Sequence, residues 1–192
     1  MTQPRIVPVS TDNLTPDQQS ILARIPGDGL KGVHAPVNVL GTLLHAPSTL
    51  TAFLDWWVAG KRAMKFSVRE QELVILRMGV LYSSEYVWRH HVVVGREFGI
   101  DEQQFEAIRT GNYAVFTQAR DRALLELTDQ LVERRDIDDA CWIKSKSVVS
   151  DEEVLELIGL VAQYVLFALT NKVYRVALED SMLPVPGLRA GP

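Results

Sequence analysis

Residues 81–99 read LYSSEYVWRHHVVVGREFG. This run holds two of the chain's four histidines, His90 and His91, with Glu85, Trp88 and the pair Ser83-Ser84. An imidazole exchanges protons near neutral pH, and does so usefully when a neighbouring group fixes its orientation. On a helix, Ser84, Val87 and His91 stand three and four residues apart and share one face, with Glu85 and Trp88 on a neighbouring stripe. His90 is turned about 100° from His91, so the two rings point different ways, and His90 is expected at the surface. Glu72 precedes Ser84 by 12 residues, among mostly apolar neighbours at helical spacing. A carboxylate against an apolar face needs a partner, and a nearby histidine makes the couple a proton-transfer pair. Whether Glu72 or Glu85 tunes His91 is open at this stage. The Ser84 hydroxyl, the Trp88 indole N–H and the Arg77 guanidinium are donors suited to an oxyanion, and Tyr82 offers a phenol. Each also has a plainer reading: Ser84 as a helix N-cap, Glu72 paired with Arg69 or Arg77, Glu85 placed by a helix dipole, Trp88 as core.

The elements that must position these groups all read as helices. Thr15-Pro16-Asp17-Gln18, Ser67-Val68-Arg69-Glu70, Asp101-Glu102-Gln103-Gln104 and Ser150-Asp151-Glu152-Glu153 are four capping boxes. They predict helix starts near residues 16, 68, 102 and 151. Further helices are expected over 37–44, 48–61, 84–98 and 119–134, with Gly99 a left-handed C-terminal cap. GDGLKGVHAP is a glycine-rich loop, and the tail LPVPGLRAGP is expected to be extended. The proline in Ile6-Val7-Pro8-Val9 argues against a strand there. The class is all-α and the chain reads as one domain, residues 1–192, with a core over about 35–180, an N-terminal arm over 1–14 and a tail over 181–192.

The chain of 192 residues is 47% hydrophobic and 23% charged, with a net charge of −4. No basic excess exists to neutralise phosphates, which argues against a nucleic-acid partner. The longest apolar run, LIGLVAQYVLFALT, is broken by Gln163 and follows a carboxylate cluster. It suits a core helix better than a membrane span, which needs about 18 or more apolar residues. No apolar targeting segment stands at the N-terminus, and a cytoplasmic location is expected. Cys141 is the single cysteine, so no internal disulfide and no Cys-x-x-Cys pair can form. Joining His45, His90 and His91 in a metal site lacks ligand spacing, and no metal is expected. His34 and His45 sit in or beside loops. Trp56-Trp57 with Phe53 forms an aromatic patch suited to core or subunit burial.

The order Glu72-Leu73, an apolar run, then Ser84-Glu85-Tyr86-x-Trp88-x-x-His91 and a helix ending in Gly99 resembles the carboxymuconolactone decarboxylase family, which shares its fold with alkyl hydroperoxidase D. The resemblance covers about residues 35–180. It implies a helical bundle and a homo-oligomer, a trimer or a trimer-built hexamer, with a dimer as the other option. The hydroperoxidase branch uses a Glu, a Cys-x-x-Cys pair and a His as a proton relay feeding a redox thiol. The resemblance places Glu72 and His91 at the Glu and the His, and Ser84 and Val87 at the two cysteines. Serine and valine cannot form or resolve a disulfide, which removes thiol peroxidase chemistry. The decarboxylase side of the family implies a cofactor-independent reaction on a small carboxylated lactone or ketone, by decarboxylation or a related isomerisation or dehydration. The expected site is then His91 with Glu72 or Glu85, lined by Ser84, Trp88, Tyr82 and Arg77. The alternative is a non-catalytic, small-molecule-binding or structural oligomer of the same fold.

Overall fold

The structure, a computed structural model, describes residues 3–25 and 35–188. His34 and most of the glycine-rich loop lie outside the described residues. Within them the chain is all-α, with no strand. The helices are α1 (Pro16–Leu22), α2 (Val37–Leu43), α3 (Pro47–Ala63), α4 (Val68–Leu81), α5 (Glu85–Glu97), α6 (Glu102–Thr110), α7 (Ala119–Glu133), α8 (Asp139–Ser145) and α9 (Asp151–Tyr174). All four capping boxes form. At α4, Ser67 Oγ accepts from Glu70 N while the Glu70 carboxylate accepts from Ser67 N at 2.7 Å. Gly99 takes φ +84, as its place after α5 requires.

The helices fall into two compact units, residues 1–63 with 169–184, and 64–168 with 185–192. In the first, α1 and α2 each pack on α3, burying Leu22, Val39, Leu40, Leu50, Phe53 and Leu54. The N-terminal arm is pinned here. Val9 N donates to Gly41 O at 3.0 Å, and a Cβ at Gly41 would stand 2.5 Å from Val9 O, so only glycine admits this approach. Trp57 is half-buried, whereas Trp56 stays 47% exposed with its ring edge-on to Phe53 at 6.4 Å.

In the second unit α4 is the central element, packing on α5, α6 and α7. Every residue from Gln71 to Gly79 is buried. Its two sides face two apolar clusters. Val74, Ile75 and Met78 meet Val87, Leu124, Leu127, Leu157, Leu160 and Tyr164. Leu73 and Leu76 meet Trp88, Val92, Phe105, Ile108 and Leu125. The first part of α9 supplies a wall of the former cluster. By length and composition α9 could cross a bilayer, but it opens on Asp151, Glu152 and Glu153 and buries Leu157, Leu160 and Tyr164 in this core. The seven-residue α8 carries no legible apolar period; Asp138 starts it by accepting from Cys141 N at 2.8 Å.

Candidate functional site

The local fold explains how two distant residues meet. α4 ends at Leu81, and the chain reverses over Tyr82, Ser83 and Ser84, with Ser83 in the left-handed region at φ +48. Ser84 then caps α5, its Oγ accepting from Val87 N at 3.4 Å and its own N donating to Gly79 O at 2.8 Å. α5 therefore runs back along α4. Gly79 lets the backbones close near the turn, where a Cβ would come within 3.2 Å of Trp88 N. Two turns up α4, Glu72 reaches the level of His91 on α5.

There His91 Nδ1 donates to Glu72 Oε2 at 2.6 Å, with the Glu72 side chain 1% exposed and that of His91 17%. An ionised carboxylate only accepts, which fixes the proton on Nδ1. The other ring nitrogen, Nε2, lies 3.2 Å from the Tyr164 phenol oxygen, with the rings edge-on at 79° and centroids 5.2 Å apart. Tyr164 comes from α9 and is 2% exposed. Three helices thus line up carboxylate, imidazole and phenol. With Nδ1 protonated, the neutral ring accepts from the phenol at Nε2, whereas the imidazolium donates to it.

The carboxylate on His91 is therefore Glu72. Glu85 lies elsewhere: Arg89 Nε donates to its Oε1 at 2.5 Å, and Leu188 N to its Oε2 at 3.0 Å. Trp88 Nε1 donates to Pro186 O at 3.1 Å. These two bonds hold the tail along α5, and Trp88 borders an open hollow of about 420 Å³ with Val92, Arg96, Phe105 and Pro186, a hollow His91 does not line. Arg77 is buried, with Nε on Asp129 Oδ1 at 2.5 Å and Nη1 on Ile108 O at 2.8 Å. Asp129 also accepts from the Tyr113 hydroxyl at 2.8 Å, and burial ahead of the neighbouring charges pushes that phenol well above its ordinary value. Tyr82 is the C-cap of α4 and packs half-buried on the cluster that contains Val87 and Tyr164.

One further expectation changes. His90 is not at the surface: it is 8% exposed and lies against the Tyr86 ring, with centroids 4.5 Å apart. Its side of α5 is covered as well, because α5 buries Tyr86, Trp88 and Val92 besides Val87. Tyr164 was not singled out from sequence at all. The available signal was the polar pair Gln163-Tyr164 inside an otherwise apolar run. Cys141 packs in the apolar core, and burial, followed by Glu126 and Asp138, raises its thiol above the ordinary value, which keeps it protonated. His45 Nε2 stands 2.9 Å from Val7 O. Among the described residues, no three His, Cys, Asp or Glu side chains gather as a metal-binding group.

No family model and no curated protein matches the chain. Solved structures do. An uncharacterized peroxidase-related protein from Ralstonia eutropha JMP134, described as an alkylhydroperoxidase AhpD core, aligns with TM-score 0.78 at 17% identity, covering 96% of this chain and 97% of that one. The debrominase Bmp8 aligns with TM-score 0.75 at 12% identity, over 92% and 93%. A putative antioxidant defence protein AhpD, ATU0492 from Agrobacterium tumefaciens, aligns with TM-score 0.65 at 16% identity, over 71% and 94%. At these identities the likeness concerns backbone alone, and on that ground the chain has the AhpD-like fold.

Proposed function

We propose that the chain is a cofactor-independent enzyme that moves a proton to or from carbon at His91, on a small substrate whose carboxylate neighbours a lactone or ketone carbonyl. The observation that carries this reading is the Glu72–His91–Tyr164 line, in which a buried carboxylate fixes an imidazole whose second nitrogen meets a phenol. Such a pairing holds the ring in one tautomer and stabilises the imidazolium that forms in turnover. In decarboxylation, the bond to the departing CO₂ breaks and its electron pair moves into the carbonyl to give an enolate. The imidazolium of His91 then delivers its Nε2 proton to carbon, and solvent returns one to the ring. Glu72 holds Nδ1–H throughout, and the Tyr164 hydroxyl stays beside Nε2 and orients the proton as it passes to carbon.

Several neighbours of this fold carry peroxidase-related names, and the debrominase was also solved as a cysteine-to-alanine variant with 2,3,4-tribromopyrrole. Here Ser84 is a cap, Val87 is core and Cys141 is a buried thiol, so the relay feeds no sulfur and its proton goes to substrate. The test is CO₂ release from a panel of 3-oxo acids and carboxylated γ-lactones. Turnover by the wild-type protein, absent in His91→Asn, supports the reading. Equal turnover by both proteins contradicts it.

A further inference from the structure

α9 has one face in the core and one face bare. Leu157, Leu160, Tyr164 and Ala168 are buried. On the opposite side Leu169 is 47% and Val173 48% exposed, Leu155, Ile158 and Ala162 are exposed too, and Val165 and Leu166 are half-buried. Among the described residues, five of the large apolar side chains left exposed stand on α9, and no other helix carries more than one. A helix face that meets water is normally rich in charge. Between Val154 and Asn171 the single charged residue is Glu156, which lies off this stripe and accepts from Lys65 N at 2.9 Å.

The spacing of the bare face points to its occupant. Leu155, Ile158, Ala162, Val165 and Leu169 recur at alternating steps of three and four, the pattern by which one helix packs along another. The stripe matches itself when reversed about Ala162: Leu155 and Leu169 lie seven residues to either side, and Ile158 and Leu166 four. A surface that is its own complement under a two-fold rotation fits a second copy of the same chain. The smallest side chain of the row stands at its middle, where two crossing helices come nearest. The ends of α9 set the direction. It opens on Asp151, Glu152 and Glu153 and carries Lys172 in its last turn. Antiparallel pairing brings acids beside lysine and opposes the two helix dipoles, whereas parallel pairing stacks acid on acid. A bilayer is the poorer cover, because three acids against one lysine at the ends of the stripe do not suit anionic lipid.

We infer that this face of α9 is a self-association surface, on which two copies pair α9 against α9, antiparallel, about a two-fold axis at Ala162. Leu155 then packs on the partner's Leu169, Ile158 on the partner's Leu166, and Glu152 reaches the partner's Lys172. Tyr164 lies on the opposite side of the helix, so the pairing leaves the His91 relay as it is in one chain.

The experiment places single cysteines by Leu155→Cys, Ala162→Cys and Leu169→Cys and treats each folded protein with a short bismaleimide. Wild-type protein, whose one thiol is the buried Cys141, is the blank. At 1.5 Å of rise per residue, Leu155 and the partner's Leu155 would stand about 21 Å apart along the antiparallel pair, beyond a short linker. The expected result is linked dimer from Ala162→Cys alone, none from Leu155→Cys or Leu169→Cys alone, and linked dimer again when those two variants are co-expressed. Light scattering should give the wild type a mass of at least two chains. Linkage of Leu155→Cys to its own copy overturns the antiparallel pairing. A monomeric wild type, or an oligomer in which none of the three cysteines links, overturns the inference, and a monomer that floats with anionic vesicles gives the face to lipid instead.

Discussion

Glu72 and His91, on successive antiparallel helices, share a 2.6 Å hydrogen bond between a carboxylate that is 1% exposed and an imidazole that keeps a small opening to solvent. The geometry makes each residue the condition for the other's burial. A lone carboxylate at that depth carries a large desolvation cost, which the N–H of His91 offsets. His91→Leu is therefore expected to lower stability by roughly 3 kcal/mol or more. The double variant Glu72→Leu/His91→Leu should recover much of the loss. Chemical denaturation of the wild type, the two single variants His91→Leu and Glu72→Leu, and the double variant checks this, and additive losses would mean that the pair is not coupled.

The phenol end of the relay is tested by Tyr164→Phe, which keeps the ring and removes the hydroxyl at Nε2. Turnover of an active substrate should fall by about 10- to 100-fold while the fold is retained, because one hydrogen bond to a reacting group is lost. His91→Asn should fall further, by about 10²-fold or more. Steady-state kinetics on the two variants gives the order, and a larger loss in Tyr164→Phe would move the proton donor from the ring to the phenol.

Much of this arrangement was legible in the sequence. The capping boxes at Ser67 and Asp101, with Ser84 as a cap, set the bounds of α4, α5 and α6, because a cap is a local interaction that a short window contains. Glu72 and His91 stood out as chemistry-bearing types at helical spacing. Their contact, and the separation of Glu85 from it, depends on where two helices cross, which no local window holds. Tyr164 lies 73 residues beyond His91 and reads as core filler within α9. His90 misled for a related reason. A residue turned 100° from a buried face faces solvent only if nothing else packs there.

Arg77 belongs to the frame of the unit in this account. Its guanidinium ties α4 to Asp129 of α7 and to the carbonyl of Ile108. Arg77→Met is expected to destabilise the protein by about 2–4 kcal/mol, since it leaves Asp129 with one partner fewer in a half-buried setting. It should leave the KM of the folded protein unchanged. A selective rise in KM without loss of stability would return Arg77 to the substrate site.

A second ionic knot predicts the acid limb of stability. Arg120 donates to Glu70 at 2.6 Å, to Glu153 at 2.7 Å and to Val148 O at 2.6 Å. The Arg120 hydrogen bond, against the opposing effect of burial and with help from Ser150, lowers the Glu153 carboxyl from 4.5 to about 2. The folded value lies below the unfolded one, so the contribution is complete above about pH 4.5 and is lost as pH falls towards 2. Glu153→Gln should flatten the stability curve in that window and leave its slope near neutrality alone. Urea midpoints measured between pH 2 and 6 decide it.

Association is expected through α9, where Leu155 is 70% exposed and Ile158, nearly one turn on, 43%. Light scattering should give a mass above that of one chain, and Leu155→Glu/Ile158→Glu should reduce it. A monomeric wild-type protein would contradict the expected homo-oligomer without touching the relay.

The central claim is that Glu72 and His91 together exchange a proton with substrate carbon. Its most direct measurement is deuterium incorporation in D₂O, following the α-carbon proton of an enolisable keto acid by proton NMR. The account predicts exchange well above the uncatalysed rate for the wild-type protein, lost in His91→Asn and strongly slowed in Glu72→Gln. Exchange that persists undiminished in His91→Asn would contradict it.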